Sequence, residues 1–412
     1  MTTELRALRP VEWDAWYDNL LRTFSVVEAA GERDLYRELT ETDRGLGVWD
    51  GDQPVATAGL FSFRMTVPGG ALVPSAGVTM VSVAPTHRRR GLLRALMRRQ
   101  LDDVRENGEP LAVLTASEPE IYGRFGYGLA SREMGATIDL GRVSLDVPEG
   151  ADDIRLRLTH DPASVSEACE ELYGRLVPLR PGMLERRPGW ERLPLLDPEA
   201  KREGASPLRC VTAERNGELV GYARYAVKPA WDDHEVPRAT VLLRDLEAVD
   251  PAAHGALWRY LFSLDLASTL RLTARPLDDP WLHMVSNPRR CAPYWNDGLF
   301  VRPVDVGAAL AARTYAAPVD VVFEVEDAFC PWNTGRWRLS GDAKGAQCAP
   351  TRDAADLALT VRELGAAYLG GVPLSALAGA GRVRELRTGG GALREASTAF
   401  RSDVEPWLPH GF

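Results

Sequence analysis

The sequence predicts two consecutive α/β domains with mixed sheets, followed by a smaller α+β domain. Three observations carry this reading. At 412 residues the chain exceeds what one hydrophobic core ordinarily holds. Helical and strand patterns alternate through the first third, as an α/β domain requires. The composition then shifts twice, at the Pro/Gly/Asp-rich run 147–153 and again near Arg302, Pro303, Val304 and Asp305. The domains expected are 1–150, 151–298 and 299–412.

In the first domain Trp13, Trp16, Tyr17, Leu20 and Leu21 recur at helical spacing and read as a core face rather than a ligand cage. Residues 46–49 and 55–63 read as strands flanking the turn Asp50, Gly51, Asp52. Residues 78–83 are a third strand. It runs through Ala84, Pro85 and Thr86 into a helix whose Leu92, Leu93, Leu96 and Met97 share a face. Residues 111–115 carry no charge and read as a buried strand. The run 122–128 alternates tyrosine, phenylalanine and arginine with three glycines, a turn before another strand.

The middle third loosely repeats this plan. Residues 219–227 resemble 55–63. A strand at 241–249, then Asp250, Pro251, Gly255 and a helix at 257–261, resembles the order around Pro85 and Gly91. No arginine cluster precedes Gly255. Two accounts stay open: a degenerate second copy that has lost its anion site, or chance likeness between two α/β domains. In the last third a helix is expected at 306–312, strands at 319–325, 337–339 and 357–361, and a helix at 362–369.

Bulk properties exclude several function classes. Hydrophobic residues at 45% and charged residues at 26% fit a soluble globular protein. A formal charge of −9 argues against a nucleic-acid partner and suits a cationic ligand without requiring one. The five cysteines (Cys169, Cys210, Cys291, Cys330 and Cys348) show no metal-binding spacing and read as reduced thiols, so no metal is expected. The N-terminus has no apolar signal core, and no run approaches the ~18 apolar residues of a membrane span. A cytoplasmic location is expected, with secretion without a signal peptide left open.

The segment 81–94 carries the most chemistry. A strand ends, a turn presents Arg88, Arg89 and Arg90 followed by Gly91, and a helix begins. The first N–H groups of a helix lack intrahelical partners, and the helix dipole adds positive potential there. Such an end holds a pyrophosphate well. Glycine permits close backbone approach, and the arginines add charge-assisted donors. A solvated basic turn explains three arginines, but not the whole order of strand, proline, arginines, glycine and amphipathic helix.

This segment resembles motif A of the GNAT acetyltransferases, with Arg88, Gly91 and Leu93 on the pattern positions. Leu93 departs from the usual small residue, yet the run from Ala84 to Arg94 is similar to the Enhanced intracellular survival (Eis) branch. Ala116, Ser117 and Glu118, the run 121–128, and a final Phe412 extend the likeness. The resemblance implies tandem GNAT-like domains, only the first active, and a C-terminal domain shaped like sterol carrier protein. It implies acetyl-CoA as co-substrate, held by Val81, Ser82, Val83, Arg89, Arg90, Gly91, Leu92, Leu93 and Arg94, with Ser117 and Glu118 contributing. It implies amine acceptors, including aminoglycosides acetylated at several positions and lysine side chains, and a homohexamer.

The same resemblance makes Tyr122 the general acid and the terminal carboxylate of Phe412 the general base. A phenol with a pKa of about 10 stays protonated at neutral pH and suits the first role. An α-carboxyl titrates near ~3.5, so it needs burial or a relaying water for the second. Tyr127 is the alternative acid, and His87 and His410 are rival bases. Phe24, Glu28, Glu32, Asp34 and Glu405 are candidates for the acceptor site, because carboxylates in a partly dry cleft favour a polycationic amine. The alternative to an enzyme is an acyl-CoA- or lipid-binding module that keeps the fold without turnover. Retention of Tyr122 favours the enzyme.

Overall fold

In a computed structural model the protein is described from residue 3 to residue 412, and it contains three sheets. The first has seven strands in the order Thr3–Ala7, Leu46–Asp50, Gln53–Thr66, Leu72–Val83, Leu111–Thr115, Leu299–Pro303, Gly128–Leu129. The second also has seven: Tyr294–Asp297, Arg132–Asp139, Ala267–Arg275, Ala239–Ala248, Glu218–Lys228, Arg209–Arg215, Arg155–Thr159. The third has five and is built wholly from residues after 318. Each sheet is antiparallel apart from one parallel pair. Mixed sheets with helices therefore form all three parts.

The first two sheets repeat one unit. In the first, Leu72–Val83 leads through the helix Leu92–Glu106 to the parallel strand Leu111–Thr115. In the second, Ala239–Ala248 leads through the helix Pro251–Phe262 to the parallel strand Ala267–Arg275. The sheets also exchange strands across the divisions at 150 and 298. Arg132–Asp139 pairs within the second sheet, and Leu299–Pro303 returns to the first, between Leu111–Thr115 and Gly128–Leu129.

Burial explains the local patterns. Trp13, Trp16 and Tyr17 of the helix Trp13–Phe24 are buried together with Trp49. On Leu92–Glu106 the buried face is Leu96, Met97, Leu101 and Val104. One core runs from Phe61, Phe63 and Val113 of the first sheet into Leu310, Phe323, Leu364 and Leu408 of the C-terminal part, so first and last parts share an interior. The strands at 53–66 and 72–83 are longer than the hydrophobic pattern indicates. Pro74, Ser75 and Gly77 break the β-type composition, yet Ser75 and Gly77 sit in a packed interior that needs small residues. The strand Gly345–Pro350 has no apolar pattern at all, because it is an exposed edge.

The C-terminal tail is threaded rather than loose. Trp407 and Leu408 are buried, the Trp407 backbone N–H donates to the Pro181 carbonyl at 2.9 Å, and its indole N–H donates to Ala274 at 2.8 Å. These contacts carry the chain end to the first sheet.

Candidate active site

The site begins where two parallel strands part. Leu72–Val83 and Leu111–Thr115 pair only over Ser75–Leu111, Ala76–Ala112 and Gly77–Val113. Beyond Gly77 they diverge, and among the described residues no strand pairs with 78–83 on that side. The divergence coincides with a register shift opposite Thr57 and Gly59 and with Met80 in the left-handed region at φ +52°. A methionine holds such a conformation only when its surroundings fix it. The Thr57 hydroxyl, 2.7 Å from both the Met80 carbonyl and the Ser82 hydroxyl, is one such fixture.

The opening leads into a groove of about 820 Å³. Val81, Ser82 and Val83 of the strand, Arg88, Arg89, Gly91, Leu92, Leu93 and Arg94 of the turn and helix, and Ser117, Glu118, Tyr122 and Phe24 line it. Gly91 adopts φ +82° ahead of the helix, and an added Cβ would meet no atom within 4 Å. Its requirement is therefore conformational. The helix end has no side-chain cap, so its first N–H groups stay available. The corresponding helix of the second sheet differs. There Asp250 caps the end, accepting from the Ala253 N–H at 3.0 Å, and Arg215 covers its carboxylate. The protein's own anion fills that position. Arg90 does not line the groove, since its guanidinium turns back to the Thr86 carbonyl at 3.0 Å. The remaining basic turn and open helix end fit a diphosphate, and the unpaired strand edge fits an amide-bearing arm.

The groove adjoins a pocket of about 310 Å³ lined by Val78, Thr79, Met80, Val81, Thr115, Tyr122 and Phe412, together with Phe24, Glu32, Tyr36 and Lys201. Tyr122 belongs to both spaces. Burial, and secondarily Glu118, pushes its phenol above the ordinary tyrosine value, so it is protonated at neutral pH. Tyr127 is buried behind it, lines neither space, and carries an unpartnered hydroxyl. The Phe412 ring stacks edge-on against Phe63 at 5.0 Å, over Gly77.

Phe412 also borders a third cavity of about 470 Å³ that reaches the second sheet. Asp197, Asp245, Glu247, Arg186, Arg244 and His410 line it. Burial pushes the Glu247 carboxyl up to about 7. Desolvation, with Arg186 beside it, pushes the half-buried His410 imidazole down to about 3, which makes it a weak base. His87 lies at the far end of the groove, bonded to Thr86 at 2.8 Å and facing Asp50 at 3.3 Å.

Of the acceptor candidates, Phe24 and Glu32 line the small pocket, and Glu32 is paired with Lys201. Glu28 faces Arg33 at 3.0 Å and Asp34 is exposed. Glu405 sits in the tail near Asp278 and Arg180. None of these three lines a cavity of the site. Sequence reasoning missed Tyr36, Thr115, Lys201, Asp245 and Glu247. No motif marks them, and only tertiary folding assembles them. Among the described residues no group of His, Cys, Asp or Glu is placed to hold a metal, and no helix is long and apolar enough to cross a membrane.

Comparison with known proteins follows the same three parts. Residues 4–130 match the family model of an acetyltransferase (GNAT) domain, residues 182–303 match a second acetyltransferase (GNAT) domain, and residues 306–409 match a sterol carrier protein domain. An N-acetyltransferase of Streptomyces avermitilis is 65% identical over the full length of both chains. The N-acetyltransferase Eis of Mycobacterium tuberculosis is 36% identical, with 98% of each chain covered. The crystal structure of Eis1 from Mycobacterium abscessus superposes with a TM-score of 0.83 at 34% identity, covering all of both chains. With two GNAT domains, a sterol carrier domain and this full-length likeness, the chain belongs to the Eis family of GNAT N-acetyltransferases.

Proposed function

We propose that the protein transfers the acetyl group of acetyl-CoA directly to an amine of a polycationic acceptor, such as an aminoglycoside or a lysine side chain. The observation that carries this is the continuity of three spaces. Tyr122 stands where the groove meets the small pocket, and Phe412 stands where that pocket meets the inner cavity. A donor along the groove and an acceptor from the cavity side would meet between them.

The roles follow from the chemistry. Acetyl-CoA supplies a thioester. Arg88, Arg89, Arg94 and the open helix end would hold its diphosphate, with backbone N–H groups of 91–94 as further donors. The unpaired edge at 81–83 pairs with the pantetheine amides, as a strand added to a sheet edge would. An ammonium has no lone pair, so the Phe412 carboxylate accepts a proton from the attacking amine. N–H groups of the splayed strand face the carbonyl oxygen as negative charge builds there. As the carbon–sulfur bond breaks, Tyr122 gives its phenolic proton to sulfur. In the inner cavity, where Arg186 and Arg244 also stand, the carboxylates of Asp197 and Asp245 would be the partners for further cationic groups on the acceptor.

Tyr122→Phe tests the acid. It keeps the ring and removes one hydroxyl, so turnover in a CoA-release assay should fall about 10²-fold with both Michaelis constants nearly unchanged. Near-normal turnover would assign the proton to Tyr127 or water instead.

A further inference from the structure

The turn that carries Tyr122 is short, with the Ile121 N–H donating to the Glu118 carbonyl at 3.1 Å and Arg124 Nε donating to the Ile121 carbonyl at 2.9 Å. Residues 119–125 form one α-helical turn and one 3-10 turn, closed by Gly126 N–H to Gly123 at 3.2 Å and Tyr127 N–H to Tyr122 at 3.3 Å. Further support comes from behind. Arg302, fully buried, donates from Nε to the Phe125 carbonyl at 2.7 Å and from Nη1 to the Pro303 carbonyl at 2.8 Å. Its Nη2 bridges both Asp327 oxygens at 3.0 and 2.8 Å. Asp327 is buried in the sterol-carrier part, where it also accepts from the Cys330 N–H at 2.8 Å and the Asn333 amide at 3.0 Å. Phe329, beside it, stacks edge-on against Phe125 at 5.0 Å.

Helix Val361–Ala367 presses on the same turn. A Cβ at Gly126 would fall 2.8 Å from Val361, one at Gly123 2.9 Å from the Arg362 guanidinium, and one at Gly128 2.1 Å from the Arg362 carbonyl. The glycines of this run thus leave room for the C-terminal domain, for its side chains at Gly123 and Gly126 and for its backbone at Gly128. Neither Arg302 nor Asp327 lines the groove or the small pocket.

We infer that Arg302 and Asp327 are positioning residues: through the Phe125 carbonyl they set where the Tyr122 hydroxyl stands, which makes the sterol carrier domain part of the catalytic geometry. The inference rests on Tyr122 acting as the proton donor. A misplacement of ~1 Å at a reacting group is enough to cost 10²-fold in rate. The buried Arg302 guanidinium reads the position of Asp327 through two hydrogen bonds rather than one, so a shift of the C-terminal domain reaches the turn.

A double-mutant cycle tests this. Asp327→Asn keeps the side-chain shape and removes the charge facing Arg302. In the otherwise native protein it should lower turnover at least tenfold, with the Michaelis constants for acetyl-CoA and amine within about twofold and a cooperative melt retained. In the Tyr122→Phe background it should cost less than about twofold more, because no hydroxyl remains to be misplaced. Equal losses in both backgrounds, or unchanged turnover in the single variant, would overturn the positioning role. Full turnover in Tyr122→Phe alone would sink the reading of Tyr122 itself, a distinguishable failure that takes this inference with it. If Asp327→Asn does not fold, Gly126→Ala serves in its place. Its Cβ crowds the turn against Val361 at 2.8 Å and against the Arg302 guanidinium at 3.3 Å, in a backbone at φ +87°, and the same non-additivity with Tyr122→Phe is expected.

Discussion

Arg89 and Arg90 are neighbours in one basic run, yet they face different environments. Arg89 sits at φ +63° and lines the groove, whereas Arg90 folds back onto the Thr86 carbonyl. A charge-assisted hydrogen bond contributes about 1.5–3 kcal/mol, so Arg89→Glu should weaken acetyl-CoA binding at least tenfold by calorimetry. Arg90→Glu should change it less than about threefold. Equal losses would mean that the two side chains share the diphosphate. The order of residue types made the anion site legible from the sequence. The direction of each side chain was not, because alternating backbone conformations within a turn leave no period to read. Glu405 shows the same limit. Its charge suggested a cleft acid, but the tail places it beside Asp278, where burial, then Asp278, raises its carboxyl above the usual range.

At the scale of the element, Leu72–Val83 does two jobs. Its first half pairs on both sides and fixes the sheet, and its second half leaves one edge open. Gly77 marks the change. An added Cβ would lie 2.5 Å from the Phe63 ring and 3.1 Å from the Phe412 ring. Gly77→Ala should therefore lower stability by about 1–3 kcal/mol, the usual range for overpacking a core, and displace Phe412 from the small pocket. A thermal melt and a turnover assay check both, and an alanine variant with native values of each would remove the strand–terminus contact from the account. The apolar stretch 78–83 was readable as a strand by composition. Its extension back to Leu72 was not, since Pro74, Ser75 and Gly77 are chosen for what packs over them, not for β-propensity. The left-handed Met80 was equally hidden, because nothing in its residue type requires it.

Taken whole, the molecule brings its last residue to its first sheet. The core shared between first and last parts, the return of Leu299–Pro303 to the first sheet, and the tail bonded through Trp407 all tie the C-terminal domain to the rest of the molecule. Three-part organisation was legible from composition shifts and alternating patterns. The strand exchange was not, because pairing partners distant in sequence carry no local signal. The apolar tail was suggestive, and its destination became visible only in the fold. In the proposed mechanism the Phe412 carboxylate takes the amine proton. A short peptide extension at the C-terminus moves that carboxylate away while leaving the groove around Gly91 untouched. Turnover of the extended protein, compared with the same extension at the N-terminus, is the most direct measurement. The account predicts at least a 10²-fold loss for the C-terminal extension alone, with acetyl-CoA affinity retained in both. Full turnover in a folded, C-terminally extended protein would contradict it and pass the base to a side chain or to water.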